Sequence, residues 1–112
     1  MATIGVREEG HDRFWDVADD FIASGRLVEG TMMGTQCLRS ASSDGFVATV
    51  ERATGNLVVK LPKGRVGDLV AAGDGLPFAP ATKVFKEWVA IPAFDEGVWT
   101  ALIEESMRFV DG

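Results

Sequence analysis

The chain has 112 residues, of which 46% are hydrophobic and 25% charged, and its formal net charge is −6. This composition is that of an ordinary globular domain with its own core, so it excludes a disordered chain, and we expect a single domain over residues 1–112. The acidic balance disfavours non-specific binding to nucleic acid and to anionic membranes.

The sequence also bears on the compartment. Cys37 is the only cysteine, so an intramolecular disulfide is excluded and a reducing cytoplasm is the simplest location. The first ten residues, MATIGVREEG, carry acids where a signal peptide carries bases. No segment is apolar enough to span a bilayer. We therefore expect a cytoplasmic protein with no membrane partner.

A helix is the first predicted element. Apolar residues recur at helical spacing, which predicts one buried face formed by Phe14, Val17, Ala18, Phe21 and Ile22. Glu8, Glu9 and Asp12 lie in or near the first turn, where the helix dipole favours acidic side chains. Gly25 is placed to end the helix in a left-handed conformation.

A run of short strands is predicted next. The segment LVEGTMMGTQCLR is apolar and interrupted by Gly30 and Gly34, which is more typical of strands than of a helix. Asp44-Gly45 then predicts a hairpin turn before FVATVER, in which Phe46, Ala48 and Val50 alternate with the residues between them. ATGN predicts a further turn, and LVVKL a further strand that ends at Pro62. Short strands with tight turns predict an antiparallel meander.

The last third returns to helical spacing. KGRVGDLVAAGDG predicts a short helix that depends on tertiary contacts, because Gly64 and Gly67 weaken it. A strand is expected near KVFKEWVAI, and then a helix with Asp95 as its N-cap and Glu104 paired with Arg108. The predicted apolar face of that helix consists of Val98, Trp99, Leu102, Ile103, Ser106, Phe109 and Val110. The fold class is therefore α+β: one antiparallel sheet with N-terminal and C-terminal helices packed against it.

The sequence shows no reactive constellation. His11 and Cys37 are far apart, and we interpret them as a surface residue at the start of a helix and a core thiol. The glycines of GRVGDLVAAGDG match neither GxGxxG nor a P-loop. Carboxylates that are adjacent on a helix, such as Asp19 and Asp20, point about 100° apart and do not share a site. We predict no enzymatic activity, and no catalytic, cofactor-binding or metal-binding residue.

Positive charge is concentrated in residues 52–86, which hold six basic residues against two acids. Lysines and arginines most often line solvated surface, so this segment is either ordinary surface or a face that contacts anions. Phe78 and Phe85 lie among these bases, and aromatic rings can stack on nucleobases. No helix-turn-helix or RNA-recognition pattern accompanies them, and direct nucleic-acid binding is not expected.

Three segments carry a family resemblance: TMMGTQCLR, LVVKLP and GLPFAPATKVFKEWVAIP. Together with the last helix they resemble the TfoX N-terminal-like domain family, in which a Met-Phe-Gly segment, a G-x-P-F loop and a Lys-x-Trp-Val strand occur in this order. The matching residues are Met32, Gly34, Gly75, Pro77, Phe78, Lys86, Trp88 and Val89. Met33 stands where that family has Phe, and Thr35 replaces a second Gly. The YjbR-like proteins, another α+β group, are a second resemblance, favoured by ALIEESMRFV.

The resemblance implies helices against an antiparallel sheet, and it implies no activity, because most family members of this size have none assigned. We expect a small non-enzymatic domain that acts through protein–protein contact, with a second copy of the chain as one candidate partner. One alternative is a small-molecule-binding module with a pocket between sheet and helices near Phe78, Phe85 and Trp88. Another is weak anion or nucleic-acid contact through residues 52–86.

Overall fold

The described part of the chain is built on one six-stranded antiparallel sheet. The computed structural model describes residues 10–32, 34–80 and 82–112, so the predictions for Glu8, Glu9 and Met33 lie outside the described residues. The strands are β1 (Leu27–Met32), β2 (Thr35–Ser40), β3 (Phe46–Val50), β4 (Leu57–Lys60), β5 (Leu76–Pro77) and β6 (Trp88–Ile91). The helices are α1 (Asp12–Ala23), α2 (Lys63–Ala71) and α3 (Glu96–Asp111).

The strand order is β1-β2-β3-β4-β6-β5. The first four strands follow the chain, which confirms the predicted meander. The chain then passes through α2, forms β5 at the sheet edge and returns as β6 between β4 and β5. The predicted α+β class is confirmed. None of the helices in the described ranges is both long and apolar enough to cross a membrane.

Both helix ends that the sequence marked are found. Gly25 follows α1 with a φ of +77°, and the N–H of Arg26 donates to the carbonyl of Phe21 at 3.1 Å, which closes the helix. Asp95 caps α3, since its Oδ1 accepts a hydrogen bond from the N–H of Val98 at 3.0 Å.

Helices α1 and α3 cover one face of the sheet. α3 packs mainly on β3 and β4, and α1 contacts β1 and α3. Trp99 on α3 is 2% exposed, and its Nε1 donates to the carbonyl of Ala93 at 3.0 Å. Ser106 Oγ donates to the carbonyl of Val47 at 3.0 Å, which joins α3 to β3. The main core therefore lies between these two helices and the sheet.

The apolar face of α3 differs from the prediction at its first turn. Trp99, Leu102, Ile103 and Ser106 are buried as expected, whereas Val98 is 47% exposed and Met107 is buried. The buried stripe starts at Trp99 and continues at spacings of three and four, which turns Val98 toward solvent. Glu104, expected to pair with Arg108, accepts a hydrogen bond from Arg26 at 3.3 Å.

A β-bulge corrects the predicted alternation in β3. Leu38 pairs with Ala48 and Arg39 with Phe46, so Val47 is an extra residue in β3. As a result Val47 and Ala48 both belong to the core beneath the helices, while Phe46 packs with the residues on the opposite face. The sequence pattern had placed Phe46 on the same face as Ala48.

The opposite face of the sheet carries a second, smaller core. Its buried residues are Val58, Phe78, Trp88 and Ala90, and Met32, Phe46 and Phe85 pack against them. The strand predicted near residues 83–91 is shorter than expected, because residues 82–87 form a loop before it, in which the N–H of Phe85 donates to the carbonyl of Phe78 at 2.9 Å. Strand β5 was not predicted. Pro77 is tolerated there because β5 is an edge strand.

Candidate binding cleft beside helix α2

His11 is buried, which corrects the interpretation of it as a surface residue. Its side chain is 4% exposed, and its Nε2 lies 3.0 Å from the carbonyl oxygen of Arg52 in the β3–β4 turn. The start of α1 packs on this turn, so the imidazole is enclosed. Since a carbonyl oxygen only accepts hydrogen bonds, Nε2 carries a proton and donates this one.

Cys37 is a core thiol, as predicted. It lies in β2 opposite Thr49 and is fully buried. Burial disfavours the thiolate and raises the pKa of Cys37 from 9.0 to about 11, against a smaller opposing effect of the Arg39 charge. A thiol in this state is a poor nucleophile at neutral pH. Within residues 10–32, 34–80 and 82–112, no three His, Cys, Asp or Glu side chains are grouped so that they could hold a metal ion.

The aromatic residues of the segment 75–92 divide between packing and a cleft. The rings of Phe78 and Phe85 lie 5.9 Å apart between centroids, on the sheet face away from α1 and α3. The pocket expected near Phe78, Phe85 and Trp88 is therefore found only in part. Phe85 and Trp88 line a cleft against α2, whereas Phe78 lines a different cleft on the other side of the loop.

The cleft against α2, here called the α2 cleft, has a volume of about 390 Å³. One wall is a face of α2, and the other is formed by Pro77, the loop before β6 and Trp88. Its lining residues are Lys63, Val66, Gly67, Val70, Ala71, Pro77, Val84, Phe85, Lys86 and Trp88. Apart from the two lysines these side chains are apolar, and Val84 is 50% exposed. The cleft thus presents uncovered apolar surface to solvent.

Gly67 gives the α2 cleft part of its width. A Cβ built at Gly67 would have no atom within 4 Å, and the same holds for Gly64, which does not line the cleft. A glycine inside a helix costs roughly 1 kcal/mol relative to alanine. Gly67 therefore weakens the helix, and its missing side chain leaves open space in the wall of the cleft.

The charge of the α2 cleft is positive. Of the six basic residues in 52–86, the structure brings Lys63 and Lys86 to this one cleft, and no acid is among its lining residues. Arg65, on the same helix, instead pairs with Glu105 of α3 at 2.8 Å. Asp68 and Glu87 neighbour lining residues along the chain but are not part of the lining.

The backbones of Lys63 and Lys86 lie at the same end of the cleft. The N–H of Leu61, two residues before Lys63, donates to the carbonyl of Glu87 at 2.9 Å, which places Lys86 near the start of α2. From there the lining residues of α2 follow the spacing 63, 66, 67, 70, 71, along one face of the helix. At 1.5 Å per residue, this face runs roughly 12 Å to Ala71. The cleft therefore has a cationic end and an apolar end.

Described residues elsewhere on the molecule form two further clefts that can be compared with the α2 cleft. One, of about 340 Å³, is lined by residues that include Met32, Thr49, Arg52 and Phe78. The other, of about 240 Å³, lies at the start of α1 beside Phe94. The lining of each includes an acid beside an arginine, Asp12 and Arg13 in the smaller cleft and Glu51 and Arg52 in the larger, so neither presents a single sign of charge. The α2 cleft is the better candidate site.

Sequence reasoning missed most of this site. Val66, Gly67 and Val70 were interpreted only as parts of a weak helix, although a glycine kept inside a helical pattern was the available signal. Lys63 was counted only among the six bases of residues 52–86. No family model matches the chain, and neither a curated protein nor a solved structure was found to match it. The resemblance to the TfoX N-terminal-like family therefore stays a prediction.

Proposed function

We propose that this protein is a non-enzymatic, cytoplasmic binding domain whose α2 cleft takes a small organic ligand with an apolar body. The observation that carries the proposal is the cleft itself, whose volume of about 390 Å³ and largely apolar lining are typical of ligand sites. This makes the small-molecule alternative from the sequence the leading one.

The lining of the cleft supports binding over catalysis. It contains no Ser, Cys, His, Asp or Glu, so it lacks the usual nucleophiles and proton-transfer groups. Lys63 and Lys86 are exposed, without the enclosing environment that activates a lysine for covalent chemistry. The single, buried cysteine agrees with a reducing compartment.

A thermal-shift experiment tests this proposal with a panel of small apolar compounds. A ligand at 100 times its Kd stabilises a protein by about 2.7 kcal/mol, which raises the Tm by roughly 5–15 °C at this chain length. The variant Gly67→Leu places a side chain in the cleft and should abolish the ligand-induced shift. Gly64→Leu, on the same helix outside the cleft, should keep it. Equal ligand-induced shifts in both variants would contradict the proposal.

A second candidate function, contact with another copy of the chain, rests on strand β1. This six-residue strand forms one edge of the sheet, and its sequence LVEGTM has no proline, lysine or arginine of the kind that blocks edge pairing. Its pairing with β2 is unbroken, and Val28 is 42% exposed.

Light scattering after size exclusion tests this second candidate. Dimerisation through β1 predicts a dimer that Thr31→Lys converts to a monomer, whereas Ala72→Lys, at an exposed position after α2, leaves the dimer intact. A monomeric wild-type protein at high concentration would remove this candidate.

A further inference from the structure

We infer that the ligand of the α2 cleft is an amphipathic organic carboxylate, bound with its carboxylate between Lys63 and Lys86 and its apolar body along α2. This inference rests on the proposed function and adds the chemical class of the ligand to it. Apart from the indole N–H of Trp88, the two ammonium groups are the only polar side-chain groups among the described residues that line the cleft. Two cations without a lining acid favour an anion over a neutral or cationic head group.

The arrangement of the cleft also bears on the ligand's shape. Because the backbone hydrogen bond between Leu61 and Glu87 brings the backbones beside Lys63 and Lys86 together, a ligand that bridges the two ammonium groups contacts the apolar lining by extending toward Val70 and Ala71. The helix face over this distance is roughly 12 Å long. That length suits a linear chain of about eight carbons or a single aromatic ring with a short side chain. A nucleotide would bring a polar sugar and base into the apolar end.

Gly67 and Phe85 provide surface for the ligand's body. Gly67 leaves space beside the middle of the helix face, and the Phe85 ring is half-buried, with part of its surface exposed at the opposite wall. An apolar chain that lies between them removes its own surface and part of the ring from water. The apolar contacts thus supply affinity, and the lysines select the head group.

The test measures binding of octanoate, octanamide and octylamine by isothermal titration calorimetry at low and high salt. These probes share a chain and differ in the charge of the head group. We expect octanoate to bind about three- to tenfold more tightly than octanamide at low salt, since exposed ion pairs contribute modestly, and octylamine to bind least. The preference for octanoate should shrink in 0.5 M salt because these charges are screened.

Matched double variants assign the selectivity to the two lysines. Lys63→Gln with Lys86→Gln should remove the preference for octanoate while octanamide binding stays unchanged. Arg52→Gln with Arg108→Gln changes the net charge equally at two exposed positions outside the cleft, and should keep the preference. If the amide binds as tightly as the acid to the wild-type protein, the inference is wrong and the proposed function stands. If none of the three probes binds, both fail.

Discussion

Cys37 is held as a neutral thiol by its surroundings, and this has a consequence at alkaline pH. Since its pKa is about 11 in the folded chain and 9.0 without burial, the unfolded state loses its proton first as the pH rises. The stabilisation is complete below pH 9 and should be lost progressively as the pH rises toward 11. Urea unfolding should show the wild-type protein losing stability relative to Cys37→Ala across this interval. A constant difference between them would contradict the expectation.

His11 contributes a buried hydrogen bond to the contact between α1 and the β3–β4 turn. Substitution His11→Ala leaves the carbonyl of Arg52 without this donor and leaves a small void, so we expect a loss of about 1–3 kcal/mol in the free energy of unfolding. His11→Gln retains an N–H donor and should recover part of this loss. Urea denaturation measures both variants, and equal effects of the two would show that the hydrogen bond contributes little.

Gly75 is packed between Leu69 of α2 and Val89 of β6. A Cβ at this position would lie 2.6 Å from Val89 Cγ2 and 3.4 Å from Leu69 Cβ. Gly75→Ala should therefore destabilise the fold by about 1–3 kcal/mol through overpacking. In a double-mutant cycle, Val89→Ala removes the clashing methyl, so the double variant should be more stable than the sum of the single effects predicts. Additive effects would show that the clash is relieved elsewhere.

At the scale of elements, α3 is tied to the sheet at its last residue as well as along its buried face. Asp111 Oδ1 accepts hydrogen bonds from Ser40 Oγ and Ser43 Oγ, both at 2.7 Å, and these lower the pKa of Asp111. The resulting stabilisation is present above the ordinary carboxyl pKa of 3.8 and is lost as the pH falls below it.

Asp111→Asn should lower the Tm at neutral pH, and the difference from wild type should disappear in acid. Differential scanning calorimetry from pH 2.5 to 7 measures this. Asp68→Asn, on an exposed part of α2 outside the Ser40–Asp111 contact, is the control. A difference that persists unchanged at pH 2.5 would exclude the carboxylate as its cause.

The elements that the sequence predicted are those with local signals. α1 and α3 show helical spacing over several turns, and Gly25 and Asp95 mark their ends. β5 was missed because a two-residue strand has no periodicity of its own. The bulge at Val47 was missed because it depends on pairing with β2 and leaves no mark in the sequence of β3.

The candidate site was harder to predict because it, too, depends on contacts between segments that are distant in the sequence. In α2, Val66 and Leu69 are buried in the main core and Val70 packs against it, while Val66 and Val70 also line the cleft beside Gly67. The face of this short helix that meets the core depends on where the loop 84–87 lies against the helix. Tertiary packing sets the position of that loop. Phe85 and Trp88 were recognised as notable in the sequence, although Phe78 was wrongly grouped with them as a wall of the same pocket.

At the scale of the whole molecule, the two faces of the sheet are closed in different ways. Two long helices cover one face, and the loop with Phe78 and Phe85 packs on part of the other. The segment 75–92 therefore serves both packing and a candidate site: Phe78 and Trp88 complete the second core, while Phe85 and Lys86 face α2.

Charge is also distributed unevenly along the chain. Residues 52–86 carry a net charge of +4, and the remainder of the chain carries −10. Two of the positive charges lie at one end of the α2 cleft, on a molecule whose overall charge repels anions. A local cationic site on an acidic protein favours a small anion that reaches the cleft over an extended polyanion such as nucleic acid, whose other charges would meet the acidic surface.

The most direct test of the α2 cleft as the ligand site is two-dimensional NMR of the labelled protein during titration with octanoate. If octanoate binds in the α2 cleft, we expect saturable shifts in the amide signals of residues 63–71 and 84–88. The signals of β1 and of the start of α1 should not change. The same titration of Gly67→Leu should leave these signals in place. Shifts confined to the neighbourhood of Arg13 and Phe94, or to that of Met32 and Phe78, would place the ligand in another cleft and contradict the account.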